Sequence, residues 1–122
     1  ELICRVNSTN LRLLWDPGNS ARSGCPNPFP GEYLQLRNLI EHIHVKNYHP
    51  ERNEWSLIAD GIVDWEGQLL ALSRDGYDGY VVIETHLKNR PSGLPLINNY
   101  DALESNSHDN IDYIREVLGL IG

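Results

Sequence analysis

The 122-residue chain has no methionine, two cysteines and no long apolar run. The missing methionine includes position 1, which is Glu1, and reads as a processed start or a start inside a longer protein. Cys4 and Cys25 lack C-x-x-C spacing and are too few for a disulfide framework. Two lone thiols fit a reducing compartment, so the expected localisation is cytoplasmic. Nothing approaches the roughly 20 apolar residues of a membrane span. No basic segment followed by an apolar one marks a secretory leader. Lys and Arg are scarce, 10 against 17 Asp and Glu, for a net charge of -7. Nucleic-acid surfaces need clustered positive charge, so this balance speaks against such a partner. A small sugar or sugar phosphate remains compatible with it. No repeat or low-complexity segment is present.

What is present is ordinary for a globular chain, with 40% hydrophobic and 22% charged residues. The length is that of one domain, expected to span residues 1–122. Three short apolar runs stand out: Leu11–Asp16, Glu41–Lys46 and Tyr80–Glu84. Each ends in a residue type that ligates metals. Between them lie stretches with helical spacing. Leu2, Ile3 and Val6 suggest the end of a first helix. Pro30 and Gly31 open a second helix through about Ile40, with Tyr33, Leu36 and Ile40 on one face. Asp64 is a good N-cap for a third, whose stripe is Trp65, Leu69 and Leu72 and whose stop is Gly76. A last helix is expected from about Ala102 to Leu118, with Ile111, Ile114 and Leu118 on one face. Asp16-Pro17-Gly18 should end the first strand, and Ser20–Phe29, Asn47–Asp60 and His86–Tyr100 read as loops. Strands alternating with helices predict an α/β fold with a parallel sheet.

In parallel barrels the chemistry gathers at the C-terminal ends of the strands. Asp16, His44 and Glu84 occupy those ends. Side chains alternate across a strand, so His42, His44 and Lys46 share one face, as do Val82, Glu84 and His86. Two carboxylates and an imidazole suit a hard or borderline cation: Mn²⁺, Mg²⁺, Co²⁺ or Zn²⁺. Each residue also has a plainer reading. Asp before Pro-Gly starts β-turns. His42 and His44 can be hydrogen-bonded core residues. Glu84 is the sharpest signal, because a carboxylate next to Val81-Val82-Ile83 is costly to bury unless compensated.

Five motifs then occur in order: Leu13-Leu14-Trp15-Asp16-Pro17-Gly18-Asn19, His42-Ile43-His44-Val45-Lys46, Gly61-x-Val63-Asp64-Trp65, Gly76-Tyr77-Asp78-Gly79-Tyr80 and Ile83-Glu84-Thr85-His86. Together they resemble the C-terminal part of the xylose-isomerase-like TIM barrels, the sugar phosphate isomerase/epimerase group. The resemblance implies that the three strands are the sixth, seventh and eighth of a (β/α)8 barrel. A whole barrel takes about 250 residues, so the chain corresponds to roughly its last three-eighths.

The resemblance also implies that Asp16, His44 and Glu84 are three of four metal ligands. The fourth is a Glu on the fifth strand, which precedes residue 1. Glu84 would be the catalytic carboxylate. Asn19, His42, Lys46 and His86 would bind substrate. Asn19 stands where many epimerases of the group have His, and Asn47 where many members have Asp. The expected function is the C-terminal part of a divalent-metal-dependent sugar or sugar phosphate isomerase/epimerase, incomplete alone. Its expected partners are its own copies or the missing N-terminal half. Two other classes are a non-catalytic half-barrel that self-associates or binds a partner, and an endonuclease IV-like metal nuclease. The second needs additional His ligands, one of them where Asn19 stands.

Overall fold

A computed structural model describes residues 2–121. The three apolar runs form β1 (Leu13–Trp15), β2 (Ile40–Val45) and a third strand at Tyr80–Ile83, here β5. All are parallel and adjacent, in the order β1-β2-β5. Leu14 pairs with His42 and Trp15 with Ile43. Further along, His44 pairs with Val82 and Val45 with Ile83. By this register Asp16 follows β1 level with His44, and Glu84 follows β5 level with Lys46.

One face of the sheet is covered. Trp15, Ile43 and Val45 are almost fully buried and pack in one cluster with α4 (Trp65–Arg74) and α5 (Ala102–Ile121). The stripe Trp65, Leu69 and Leu72 is buried as its spacing predicts. Asp64 caps α4 by accepting from the Gly67 N–H. Gly76 closes the segment at φ +74°, a conformation that costs glycine nothing. The other face is open: Leu14 is 49% and Val82 40% exposed.

Several local expectations are corrected. Asp16-Pro17-Gly18 ends β1 as expected, and it opens a helix where the plainer reading had a β-turn. Asp16 is the N-cap of α2 (Pro17–Arg22), with Pro17 at the first helical position, which its fixed φ favours. Part of the expected loop at Ser20–Phe29 is therefore helical. The helix expected through Ile40 is a kinked segment at Pro28–Glu32, interrupted by the extended Phe29 and followed by α3 (Tyr33–Leu36), and Ile40 already belongs to β2. The long polar stretch at Asn47–Asp60 holds an antiparallel hairpin of β3 (Asn47–His49) and β4 (Glu54–Ser56). The first helix, α1 (Leu2–Val6), buries none of its residues.

In α5, Ile114 is buried but Leu118 is exposed, and Val117 takes its place. The first half of the buried face is polar: Ser105, Asn106 and Asn110. The Asn106 amide donates to the carbonyls of Leu87 and Asn89, and Asn110 donates to Thr85 Oγ1 while accepting from the Ile58 N–H. Ser105 Oγ accepts from the Ile97 N–H. Apolar periodicity does not see these residues because they pin loop backbone rather than cover a core. Among the described residues no helix is long and apolar enough to cross a membrane.

Candidate metal centre

The sheet register brings Asp16, His44 and Glu84 together. One donor atom from each lies within 4.8 Å of the other two. His44 Nδ1 is 3.7 Å from Asp16 Oδ2 and 3.3 Å from Glu84 Oε2. Ligands around one divalent cation at ~2.1 Å stand roughly 3 Å apart, so a small contraction closes this set. The donors are oxygen, nitrogen and oxygen, which suits a hard or borderline ion.

Each side chain is held by its element. Asp16 is buried at the start of α2, where its Oδ1 accepts from the Asn19 N–H at 2.8 Å. Its Oδ2 accepts from the Asn19 amide at 3.0 Å. Glu84 follows β5 directly, and its N–H extends the ladder to the Val45 carbonyl. Lys46 lies between the two carboxylates, its Nζ 3.1 Å from Asp16 Oδ2 and 2.5 Å from Glu84 Oε2. A cation therefore already stands against the two oxygens that a metal needs. His86 Nε2 approaches Glu84 Oε2 at 3.4 Å. The hydrogen bond from Lys46 holds the Glu84 carboxyl below the usual carboxylate range, against the opposing pull of burial. The Lys46 charge, a hydrogen bond from His86 and the His44 imidazole add to the same direction. Glu84 is thus ionised at neutral pH, as a ligand or proton acceptor must be.

The other residues expected at the site are placed unequally. Lys46 and His86 border Glu84. Asn19 is turned onto Asp16, so it positions that carboxylate. His42 lies one pleat further back on β2, its ring 5.5 Å from that of His44 and 6.3 Å from that of Tyr80. Among the described residues it pairs with neither carboxylate.

Three residues beside the centre carried no motif. Trp55, on the hairpin, stands with its ring 5.2 Å from that of His86 and 4.9 Å from Lys46 Nζ. The Arg22 guanidinium, from the last turn of α2, is 5.2 Å from the same ring. Arg22, Trp55, His86 and Lys88 line a groove of about 480 Å³ along the hairpin, which meets the centre at His86 beside Glu84. Arg22 and Lys88 have no carboxylate partner among the described residues, whereas Arg52 pairs with Glu54 and Asp60. A polar stretch around one Trp was the available signal, and without the hairpin it points nowhere.

The fold and the cluster define a segment of a parallel β/α barrel with a candidate cation site at its strand ends. The family model "Xylose isomerase-like TIM barrel" matches residues 1–117, and the chain belongs to that family. It is similar to the crystal structure of a xylose isomerase domain protein from Planctomyces limnophilus, with a TM-score of 0.71 at 20% identity over 98% of this chain and 40% of that one. It is also 27% identical over 84 residues to an uncharacterized protein of Methanocaldococcus jannaschii, a match that covers 69% of this chain and 29% of the relative. The chain thus spans well under half the length of either.

Proposed function

We propose that this chain is the C-terminal portion, strands six to eight, of a divalent-metal-dependent sugar or sugar phosphate isomerase/epimerase. The observation that carries the reading is the convergence of Asp16, His44 and Glu84 from three parallel strand ends onto one point. A divalent cation held by these three supplies Lewis acidity toward the carbonyl and hydroxyl oxygens of a sugar. The chain's own residues do the rest. Glu84, kept ionised, would accept a proton from the carbon next to the carbonyl, and a second carboxylate, on the fifth strand and outside this chain, would deliver a proton to the opposite face. His86 and Lys46 offer donors to substrate oxygens. His42 lines the sheet face behind them. The groove past Trp55 gives the remainder of the sugar an aromatic wall and two cations, Arg22 and Lys88, that have no carboxylate partner among the described residues, a combination that suits a phosphate end.

In the family pattern a fourth ligand comes from the fifth strand, so activity calls for the N-terminal portion of the barrel as partner. A half-barrel without catalysis is the second reading, favoured by the exposed face around Leu14 and Val82. A nuclease site is disfavoured, because Asn19 is engaged with Asp16 and the chain is acidic. The test is calorimetric titration of this chain with Mn²⁺, then proton exchange on a ketose phosphate in D₂O with the N-terminal portion supplied. Binding should be lost in Asp16→Asn and His44→Ala. Exchange should fall about 10³-fold in Glu84→Gln, the span of a general base. Undiminished exchange in Glu84→Gln would refute its role, and Mn²⁺ binding that ignores Asp16 and His44 would refute the centre.

A further inference from the structure

We infer that Lys46 is the resident cation of this centre: before a divalent ion binds, its ammonium holds Asp16 and Glu84 together, and it swings out toward Trp55 to admit the ion. The inference rests on the metal reading above and adds a residue that sets how tightly the metal is held.

The seat of this lysine is built by the fold. Lys46 is 5% exposed, a rare condition for a lysine unless it is paired. Its carbonyl accepts from the Trp65 indole N–H at 3.1 Å, which ties the residue to α4. Its stem crosses the first turn of α2 at Gly18, where a Cβ would come within 2.7 Å of Lys46 Cγ and 2.9 Å of its carbonyl oxygen. The ammonium then reaches both carboxylates, at 3.1 Å and 2.5 Å, through the same Oδ2 and Oε2 that face His44.

Two cations do not share those oxygens. With Lys46 in place, Asp16, Glu84 and the ammonium sum to one negative charge. With it withdrawn, the two carboxylates balance a divalent ion. The side chains of Lys46 and Asp16 are 6% and 7% exposed, so on that side of the site the repulsion between an ammonium and a metal a few ångströms apart is weakly screened. The way out is short, because the Trp55 ring is already 4.9 Å from Nζ and its face attracts a cation. Metal entry is therefore coupled to the β3–β4 hairpin that carries Trp55 and borders the groove.

The experiment titrates the whole chain with Mn²⁺ by calorimetry, as wild type, Lys46→Met and Lys46→Gln, and follows melting temperature with and without the ion. Lys46→Gln keeps polar contact with both carboxylates and guards against misfolding of Lys46→Met. Both variants should bind Mn²⁺ at least tenfold more tightly than wild type. Both should melt lower than wild type without the ion and gain more from it. Binding equal to or weaker than wild type in both variants overturns the inference while leaving the metal reading in place. Binding in the variants but not in the wild type upholds the inference and refutes metal dependence of the unaltered chain. No binding by any of the three overturns both.

Discussion

Asn47 shows how one residue decides local structure beside the centre. It is 1% exposed and uses its whole amide. Nδ2 donates to the carbonyls of Ile58 and Val63 at 2.8 and 2.9 Å. Oδ1 accepts from the N–H groups of Tyr48 and Val63, both at 2.9 Å. Two carbonyls need donors and two N–H groups need an acceptor, which only an amide side chain supplies together. This gives a physical reason for Asn at this position. Gly61 belongs to the same arrangement, since a Cβ there would lie 2.3 Å from Asn47 Oδ1. An Asp at position 47 keeps the acceptor and turns an oxygen toward two buried carbonyls. Asn47→Asp should therefore cost about 3 kcal/mol in urea unfolding, from two buried acceptors left without donors. A change under about 0.5 kcal/mol, the scale of a neutral surface substitution, would show that the network does not bear on stability.

Between elements, Tyr33 on α3 joins the C-cap of α4. Its hydroxyl donates to Asp75 Oδ2 at 2.9 Å, and Arg37 reaches the same oxygen at 3.2 Å. Tyr33 is 1% exposed, and burial, then the bond to Asp75 and its charge, push the phenol up from 10.0 to about 12. The folded state therefore keeps this proton at pH values where the unfolded chain has lost it. Stability contributed by Tyr33 is complete below pH 10 and is lost as pH rises from there through about 12. The bond from Tyr33 holds the Asp75 carboxyl below its usual range, so that contribution is present above ordinary carboxylate pH and is lost in acid. Tyr33→Phe should remove the extra alkaline loss, on the order of 2 kcal/mol for a shift of this size. Parallel stability–pH curves for both proteins between pH 9.5 and about 12 would contradict the assignment of that slope to Tyr33.

The same scale explains what the sequence discloses about its elements. β2, β5 and α4 are legible because each is an apolar pattern bounded by a cap or glycine. α2 is hidden because Asp-Pro-Gly at 16–18 fits a β-turn and a helix start equally well. The i→i+4 bonds from the Ser20 N–H to the Asp16 carbonyl and from the Ser23 N–H to the Asn19 carbonyl, with the Asn19 N–H on Asp16 Oδ1, mark it as a helix. The hairpin is hidden because its support is the Asn47 amide, a tertiary feature with no period. α5 is found but turned on its axis, since half of its buried face is Ser and Asn. The candidate centre is legible in Asp16, His44 and Glu84, which need only strand ends to converge. Trp55 and Arg22 approach it through the two elements the pattern missed.

At the scale of the whole molecule, three parallel strands make a sheet with two edges, whereas a closed barrel has none. The edge strand β5 exposes Tyr80, Val81 and Val82 at 78%, 38% and 40%, and Leu14 is open on β1. Covering each such side chain is worth about 1–2 kcal/mol, and free strand edges supply backbone partners as well. Against association stands the net charge of -7, which makes copies repel one another at long range. Salt screens that repulsion over a Debye length of about 8–10 Å without weakening apolar burial. Alone in solution, the chain should therefore sediment as a species heavier than one copy, and raising salt should strengthen the association. Supplying the N-terminal barrel portion should replace it with a one-to-one complex, because that portion covers the same face and pairs with both edges. Association weakened by salt would point to ion pairs instead of this face. A cooperatively unfolding monomer at every salt concentration would mean that the open face and edges are tolerated as they stand.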